Sequence, residues 1–280
     1  MMMRIMRRGE PLRAIRWPPP VALSTAPWGR TSLELVGAAL LLLALWQLAT
    51  VLAGTDLPGP ARTLPVLWEL IRDPLYDRGP NDKGIALQLL SSLQRVFLGF
   101  ALGSLIAIPL GVVMGASRLG RGLLNPLVQV FRPVSPLAWF PIGLAALHSA
   151  PTATVFVICI TSLWPTVINT AFGIASLPED HKNVARVFQF SRWKYFSKIL
   201  WPYSLPHILT GLRLSLGVAW MVIVAAEMLA GGVGIGFFVW DSWNTLHVER
   251  VIAALLLIGA VGLAMDRVLE LLARRASYAT

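Results

Sequence analysis

At 280 residues the chain is 56% hydrophobic and only 14% charged, with a mean hydropathy of +0.66. Soluble domains average about 25% charged residues, so this depletion excludes an ordinary soluble domain and indicates a polytopic membrane protein. The net charge of +10 does not mark a nucleic-acid binder. Six of the 24 cations (Arg4, Arg7, Arg8, Arg13, Arg16, Arg30) precede the first apolar run, and five more lie between Lys182 and Lys198, where flanking cations report topology.

Residues 1–30 form a basic segment without an apolar stretch ending at a small-residue cleavage site, so no removable signal peptide is expected. Residues 33–53, "LELVGAALLLLALWQLATVLA", are long enough to cross a hydrocarbon core of roughly 30 Å, and the preceding arginines place their N-terminus in the cytoplasm. Residues 54–84 read as an outside loop containing an amphipathic stretch, "ARTLPVLWELIRDPL". Its four cations (Arg62, Arg72, Arg78, Lys83) nearly cancel its five acids (Asp56, Glu69, Asp73, Asp77, Asp82).

A second span is expected over 96–115, preceded by the helical run "IALQLLSSLQR" and kinked at Pro109, with Arg118 and Arg121 marking its cytoplasmic end. Gly99/Gly103 and Gly111/Gly115 are spaced for close helix approach within one subunit. The stretch 123–150 is a weaker span, interrupted by Arg132, Pro133, Pro136 and Pro141. Residues 151–175 cross without a charge, and two further spans follow at about 206–230 and 251–272. Six spans put both termini and the segment 176–204 on the cytoplasmic side. The reading is thus an all-α permease domain over 31–275 with a short tail, 276–280.

Residues 176–204 interrupt the apolar chain with cations and aromatics. "SLPED" reads as a capping box with Ser176 as N-cap, starting a helix near Leu177 that runs to about Gln189. Ser191 caps a second helix from Arg192, which makes Gln189–Ser191 a sharp turn. Val184, Val187 and Phe188 fall at i, i+3 and i+4, an apolar stripe, with Lys182 and Arg186 off it. Two readings fit: an interfacial amphipathic helix against anionic lipid headgroups, and a knob for another protein's groove.

The same stretch resembles the cytoplasmic "EAA" loop of ABC importer permeases. Asn183-Val184-Ala185 stand at the E-A-A positions, Gln189 at the glycine position, and Ile199, Trp201 and Pro202 at the I-x-L-P end. The wider "RPVSPLAWFPIGLAAL…SLWPTVINTAFGI…LPEDHKNVARVFQFSRWK…LTGLRLSLGVAWMVIVAAEML" is similar to the nitrate/sulfonate/taurine/bicarbonate branch, most of all to nitrate-type permeases, over roughly 30–275. The resemblance implies a MetI-like fold in the bacterial inner membrane and a coupling helix (Asn183, Val184, Ala185, Arg186, Val187, Phe188, Gln189, Ser191, Arg192) read by ABC ATPase subunits. It further implies ATP-Mg bound by that partner, a periplasmic substrate-binding protein, and a second permease copy. The expected cargo is a small oxyanion, nitrate or nitrite first, with sulfonate, taurine, bicarbonate and cyanate as rivals. An ion-gradient-driven secondary transporter is the remote alternative.

The sequence holds no G-x-x-x-x-G-K-[ST] loop, so no nucleotide cofactor is expected in this chain and it is not read as an enzyme. "GGVGIG" (231–236) lacks a strand–helix context and reads as a flexible loop. His148, His181, His207 and His247 are scattered, without metal-ligand spacing. Charges inside spans default to functional candidates: Arg95, Arg132, Arg213 and Glu227. Arg95 and Arg213 stand near span ends, where snorkelling is the commoner explanation. For Glu227 an outer gate and a structural ion pair fit equally. Gln94, Asn169 and Thr170 are candidates for a polar path.

Overall fold

A computed structural model describes residues 28–53, 57–80 and 82–277. The basic segment before Trp28 and the tail from Tyr278 lie outside the described residues. The described residues are helical apart from turns and one isolated antiparallel bridge between Asp77 and Lys83. Two compact units divide at Gly54. The first holds α1 (Trp28–Ala53), whose apolar stretch runs Val36–Leu52. This is where the first expected span falls.

The second unit begins with α2 (Pro60–Arg72), which is the amphipathic stretch of the expected outside loop. It continues through α3 (Ile85–Ala116), α4 (Arg118–Phe131), α5 (Trp139–Leu147) and α6 (Ala150–Ala175). The segment between the spans carries α7 (Glu179–Val187) and α8 (Arg192–Tyr195). From α8 a π-helical turn, Phe196–Leu200, leads directly into α9 (Trp201–Ala230), and α10 (Ile235–Asn244) and α11 (Val248–Ser277) complete the chain. Four helical stretches are long and apolar enough to cross a bilayer: α3, α6, Arg192–Ala230 and Val248–Ala273.

The expected weaker span over 123–150 is not one helix. It is α4 followed by a 3-10 turn (Pro136–Ala138) and α5, bent by 92°. Pro133 and Pro136 cannot donate to the helical ladder and clash with the preceding turn, so the break falls at Arg132–Ser135.

Helix packing decides what this bent pair does. The glycines of α3 lie against α6 in a ladder of constant offset: Gly99 against Ile158, Gly103 against Ser162, Gly111 against Thr170, Gly115 against Ile174. An offset that is constant and of one sign means that α3 and α6 run parallel, and small residues let the backbones close up. The intervening chain must therefore return the full length of α6. It does so in steps: Val128 packs with Ala107 and Val167, Phe131 stacks on Trp164, and Phe140 packs with Ala153 and Val157. The pair α4–α5 is a broken span, and the fivefold alternation it completes within this unit matches the expected number of crossings after the first.

α9 runs antiparallel to α6, with His207 against Gly173 and Gly211 against Asn169. A buried hydroxyl pair, Thr166 and Ser215 at 2.7 Å, joins the two helices, as polar side chains commonly do between spans. Trp220 Nε1 donates to the Ile258 carbonyl at 3.0 Å and fastens α11 to α9. Val96, Ile158, Leu216, Ala219, Trp220 and Ile223 form the main core where α3, α6 and α9 meet.

Candidate functional site

The insert between α6 and α9 is anchored at its base and exposed at its tip. Ile174, Leu177 and Leu200 form a buried cluster, and Tyr203 OH donates to the Ser176 carbonyl at 3.1 Å. The expected capping box is absent. Ser176 Oγ donates back to the Gly173 carbonyl at 3.1 Å, finishing α6, and Pro178, with ψ near 147°, holds the chain extended until α7 begins at Glu179. Glu179 pairs with Lys182 at 2.8 Å instead; that lysine holds its carboxyl below the usual range.

The turn is as expected. Gln189 takes a left-handed backbone (φ 47°), Phe190 N donates to the Ala185 carbonyl at 2.9 Å and Gln189 N to the Arg186 carbonyl at 3.0 Å. This is a Schellman ending with Gln where glycine is usual. Ser191 Oγ accepts from Lys194 N at 3.3 Å and caps the next helix.

All three residues of the apolar stripe are exposed, Val184 at 48%, Val187 at 78% and Phe188 at 69%, with Trp193 exposed beside them and Ala185 buried beneath. Cations ring this patch: Lys194 Nζ sits 4.3 Å from the Phe190 ring centre, Arg186 donates to Asn183 Oδ1 at 3.3 Å, and Lys182, Arg186 and Arg192 line one concavity with Gln189 and Tyr195. An apolar centre inside a charged rim is the anatomy of a protein-binding surface.

At the opposite end of α9 the structure brings together two of the four charged candidates. Glu227 is 1% exposed, and its Oε1 accepts from Arg95 Nη1 at 2.6 Å. Ser92 Oγ donates to the same carboxylate at 2.8 and 2.9 Å and accepts from Ile235 N at 2.9 Å. Gly236 N donates to Glu227 Oε2 at 3.0 Å, Gly234 N to Gln88 Oε1 at 2.6 Å, and Arg95 Nη1 also to the Val233 carbonyl at 2.7 Å. The segment 231–236 is therefore not a loose loop: the amides of Gly234, Ile235 and Gly236 are held by side chains of α3 and α9. Gly234 needs its glycine, since φ is 157° and a Cβ would strike the Glu227 carboxylate. Arg95 does not snorkel; it is the half-buried partner of a buried carboxylate, which Ser92 Oγ and the Gly236 amide also serve to satisfy.

Arg213 stands elsewhere. It pairs with Asp266 through two hydrogen bonds of 2.6 Å, a bidentate link from α9 to α11, with Glu270 3.8 Å away. Asn169 donates to the Pro165 carbonyl of its own helix at 2.8 Å, Thr170 is buried against Gly111, and Gln94 is exposed on α3. None of these three joins the Glu227 cluster. Gln88, Ser92 and Asp266 escaped the sequence reading, although Gln88, Ser92 and Arg95 recur at i, i+4 and i+7, a face shared on one helix. Among the described residues no group of three or more His, Cys, Asp or Glu could hold a metal ion.

The family described as "Binding-protein-dependent transport system inner membrane component" matches residues 86–278. The chain belongs to this family. It is an ABC importer permease, a multi-pass membrane component rather than a catalytic subunit. It is 46% identical over 231 residues to the nitrate import permease protein NrtB of Synechocystis sp., covering 82% of this chain and 84% of that protein. It is 44% identical over 235 residues to the bicarbonate transport system permease protein CmpB of Synechococcus elongatus, covering 83% and 84%. Its fold is similar to a chain of the MetNI methionine ABC transporter in an inward-facing conformation, with a TM-score of 0.61 at 14% identity, covering 76% of this chain and 98% of that one. The expected MetI-like permease fold is thus the observed one.

Proposed function

We propose that this permease passes a small monovalent oxyanion, nitrate before bicarbonate, from a periplasmic binding protein to the cytoplasm. The observation that carries the reading is the 46% identity, spread over four fifths of both chains, to a permease named for nitrate import. A nearly equal likeness to a bicarbonate permease supports the class of cargo, since both are small planar anions of single charge. Two copies would form the path, with both termini and the insert cytoplasmic. ATP-Mg belongs to ABC ATPase subunits that dock on Val184, Val187 and Phe188, Gln189 shaping the knob and Asn183, Ala185, Arg186, Ser191 and Arg192 supporting or rimming it.

Glu227 and Arg95 act in this reading as a clamp holding α3, α9 and the start of α10 together, and Arg213 as the tie to α11. ATP shifts the inward–outward equilibrium by the difference in its affinity for the two states. The test is uptake of labelled nitrate and labelled bicarbonate into proteoliposomes holding permease, ATPase and binding protein. Uptake should require ATP on the ATPase side and the binding protein on the other. Uptake driven by an ion gradient without the ATPase would make the chain a secondary transporter and overturn the reading.

A further inference from the structure

The broken span carries a pattern that the clamp and the insert leave unexplained. At 3.6 residues per turn, Arg118, Arg121, Asn125, Gln129 and Arg132 fall within an arc of roughly 80° on α4. Gly120, Leu124, Val128 and Phe131 occupy a second arc, packed on α3 and α6. Leu119, Leu123, Leu127 and Val130 make a third, exposed and wholly apolar. The helix therefore has three faces: one for the core, one suited to lipid, and one polar along its entire length.

The polar face ends deep in the membrane. Phe131, beside Arg132, stacks on Trp164, which lies near the middle of α6. Here the 92° bend turns the chain aside, and a cavity of about 620 Å³ opens, lined by Met114, Asn125, Val128, Gln129, Arg132, Pro133 and Ile168. No acid lines it, and Arg132 enters no ion pair among the described residues. Arginine at mid-depth is expensive against hydrocarbon, and such residues face a bundle interior or a water-filled cavity. An unpaired guanidinium offers its fork of donors to a planar oxyanion with the geometry of a carboxylate.

Resting on the importer reading above, we infer that the polar stripe of α4 lines the hydrated path and that Arg132 is its mid-depth anion contact. Asn125 and Gln129 lead toward it with neutral amides, which hydrate an anion without trapping it. Arg121 and Arg118 continue the stripe toward the cytoplasmic end of α3. The ligand class is a small planar oxyanion of single charge.

The experiment uses the full complex in proteoliposomes with Cys159→Ser, which removes the single native thiol. Cysteines are placed singly at Asn125 and Gln129 on the stripe, and at Leu123 and Val130 on the apolar arc. Each is labelled with a membrane-impermeant anionic methanethiosulfonate and with its cationic counterpart. Asn125→Cys and Gln129→Cys should react with both far faster than Leu123→Cys and Val130→Cys, and the anionic reagent should be favoured. Adding Arg132→Gln should erase that preference and slow nitrate uptake roughly tenfold, about what one charge-assisted contact contributes. Arg132→Lys should restore part of it, with co-purified ATPase unchanged throughout. Equally slow labelling on both arcs in a complex that transports would show that the stripe is out of contact with water and overturn the inference. Uptake by the Cys159→Ser parent is measured first, so failure of ATP-driven transport overturns the importer reading separately from the labelling contrast.

Discussion

Arg95 and Glu227 lie 132 residues apart in the chain and 2.6 Å apart in the folded protein. Their pairing fixes the first half of α3 against the end of α9, and together with Gln88 and Ser92 it holds the amides of Gly234, Ile235 and Gly236, where α10 begins. Removing one partner of a buried pair leaves an uncompensated charge, at a cost of about 3–5 kcal/mol. Arg95→Ala should therefore reduce the yield of monodisperse permease and lower its melting temperature strongly. Adding Glu227→Gln to it should recover much of the loss. A double variant as unstable as Arg95→Ala alone would show that the guanidinium acts through Val233 rather than through the carboxylate.

The exposed patch on α7 gives the second prediction. Phe188→Asp puts a charge at the centre of the proposed ATPase contact, where losing a central aromatic typically costs about 2 kcal/mol or more, roughly a thirtyfold drop in affinity. Arg186→Ala at the rim should weaken association less, and mainly at low salt. Co-purification of the ATPase across a salt series separates the two. Full binding and transport by Phe188→Asp would return the insert to a membrane-surface element.

Gln189 is the turn's one strained position. An L-residue with a left-handed backbone carries about 1 kcal/mol of strain, and glycine gives back roughly half of that in the entropy of the unfolded chain. Gln189→Gly should raise hydrogen-exchange protection at the Phe190 amide by a factor of two to three, for a net gain of about 0.5 kcal/mol. Reduced protection would mean that the Gln side chain contributes more than its backbone costs.

The ladder between α3 and α6 tolerates no bulk. At Gly111 a Cβ would fall 2.5 Å from Thr170 Cβ, so Gly111→Val must push the helices apart. Overpacking of this kind costs about 1–3 kcal/mol, and thermal unfolding in detergent should register it. Gly122→Val and Gly259→Val, where nothing lies within 4 Å, should leave the melting temperature nearly unchanged.

A pH effect is expected in the loop between α2 and α3. Asp77 accepts from Lys83 Nζ at 2.5 Å and from Gly79 N at 3.3 Å, and the lysine first, then the amide, hold its carboxyl below the usual value. A depressed folded pKa stabilises above the ordinary carboxylate value and stops doing so as pH falls through the folded one. The loop around Gly84, whose amide donates to the Tyr76 carbonyl at 2.7 Å, should thus lose protection only below about pH 4. Exchange at the Gly84 amide, corrected for its intrinsic rate, should show this, and Asp77→Asn should abolish the dependence.

The spans and the insert were legible because apolar runs of twenty residues and clustered cations are strong, local signals. The Gln189 turn was legible for the same reason, since Ser191 and the ends of two helical patterns bracket it. Pro133 and Pro136 announced a break, but a missing donor says where a helix stops and not which way the chain then turns. The capping box at Ser176 misled because its hydroxyl had a nearer acceptor in the last turn of α6. Arg95 and Glu227 were each suspected alone, yet one chain carries no sign of a partner 132 positions away. Arg118 and Arg121 were read as topology marks, which hid their continuity with Asn125, Gln129 and Arg132. That stripe is visible only once α4 is known to end at Phe131.

The constant register between α3 and α6 has a mechanical consequence. Two rods that slide past one another bend independently, whereas rods pinned at four points along their length flex as a single, much stiffer beam. One end of this beam stands at the root of the insert, beside Gly115 and Ile174, and the other reaches toward Ser92 and Arg95. A push delivered at the root of the insert is therefore not absorbed on the way, and it arrives at the far end of the pair as a tilt.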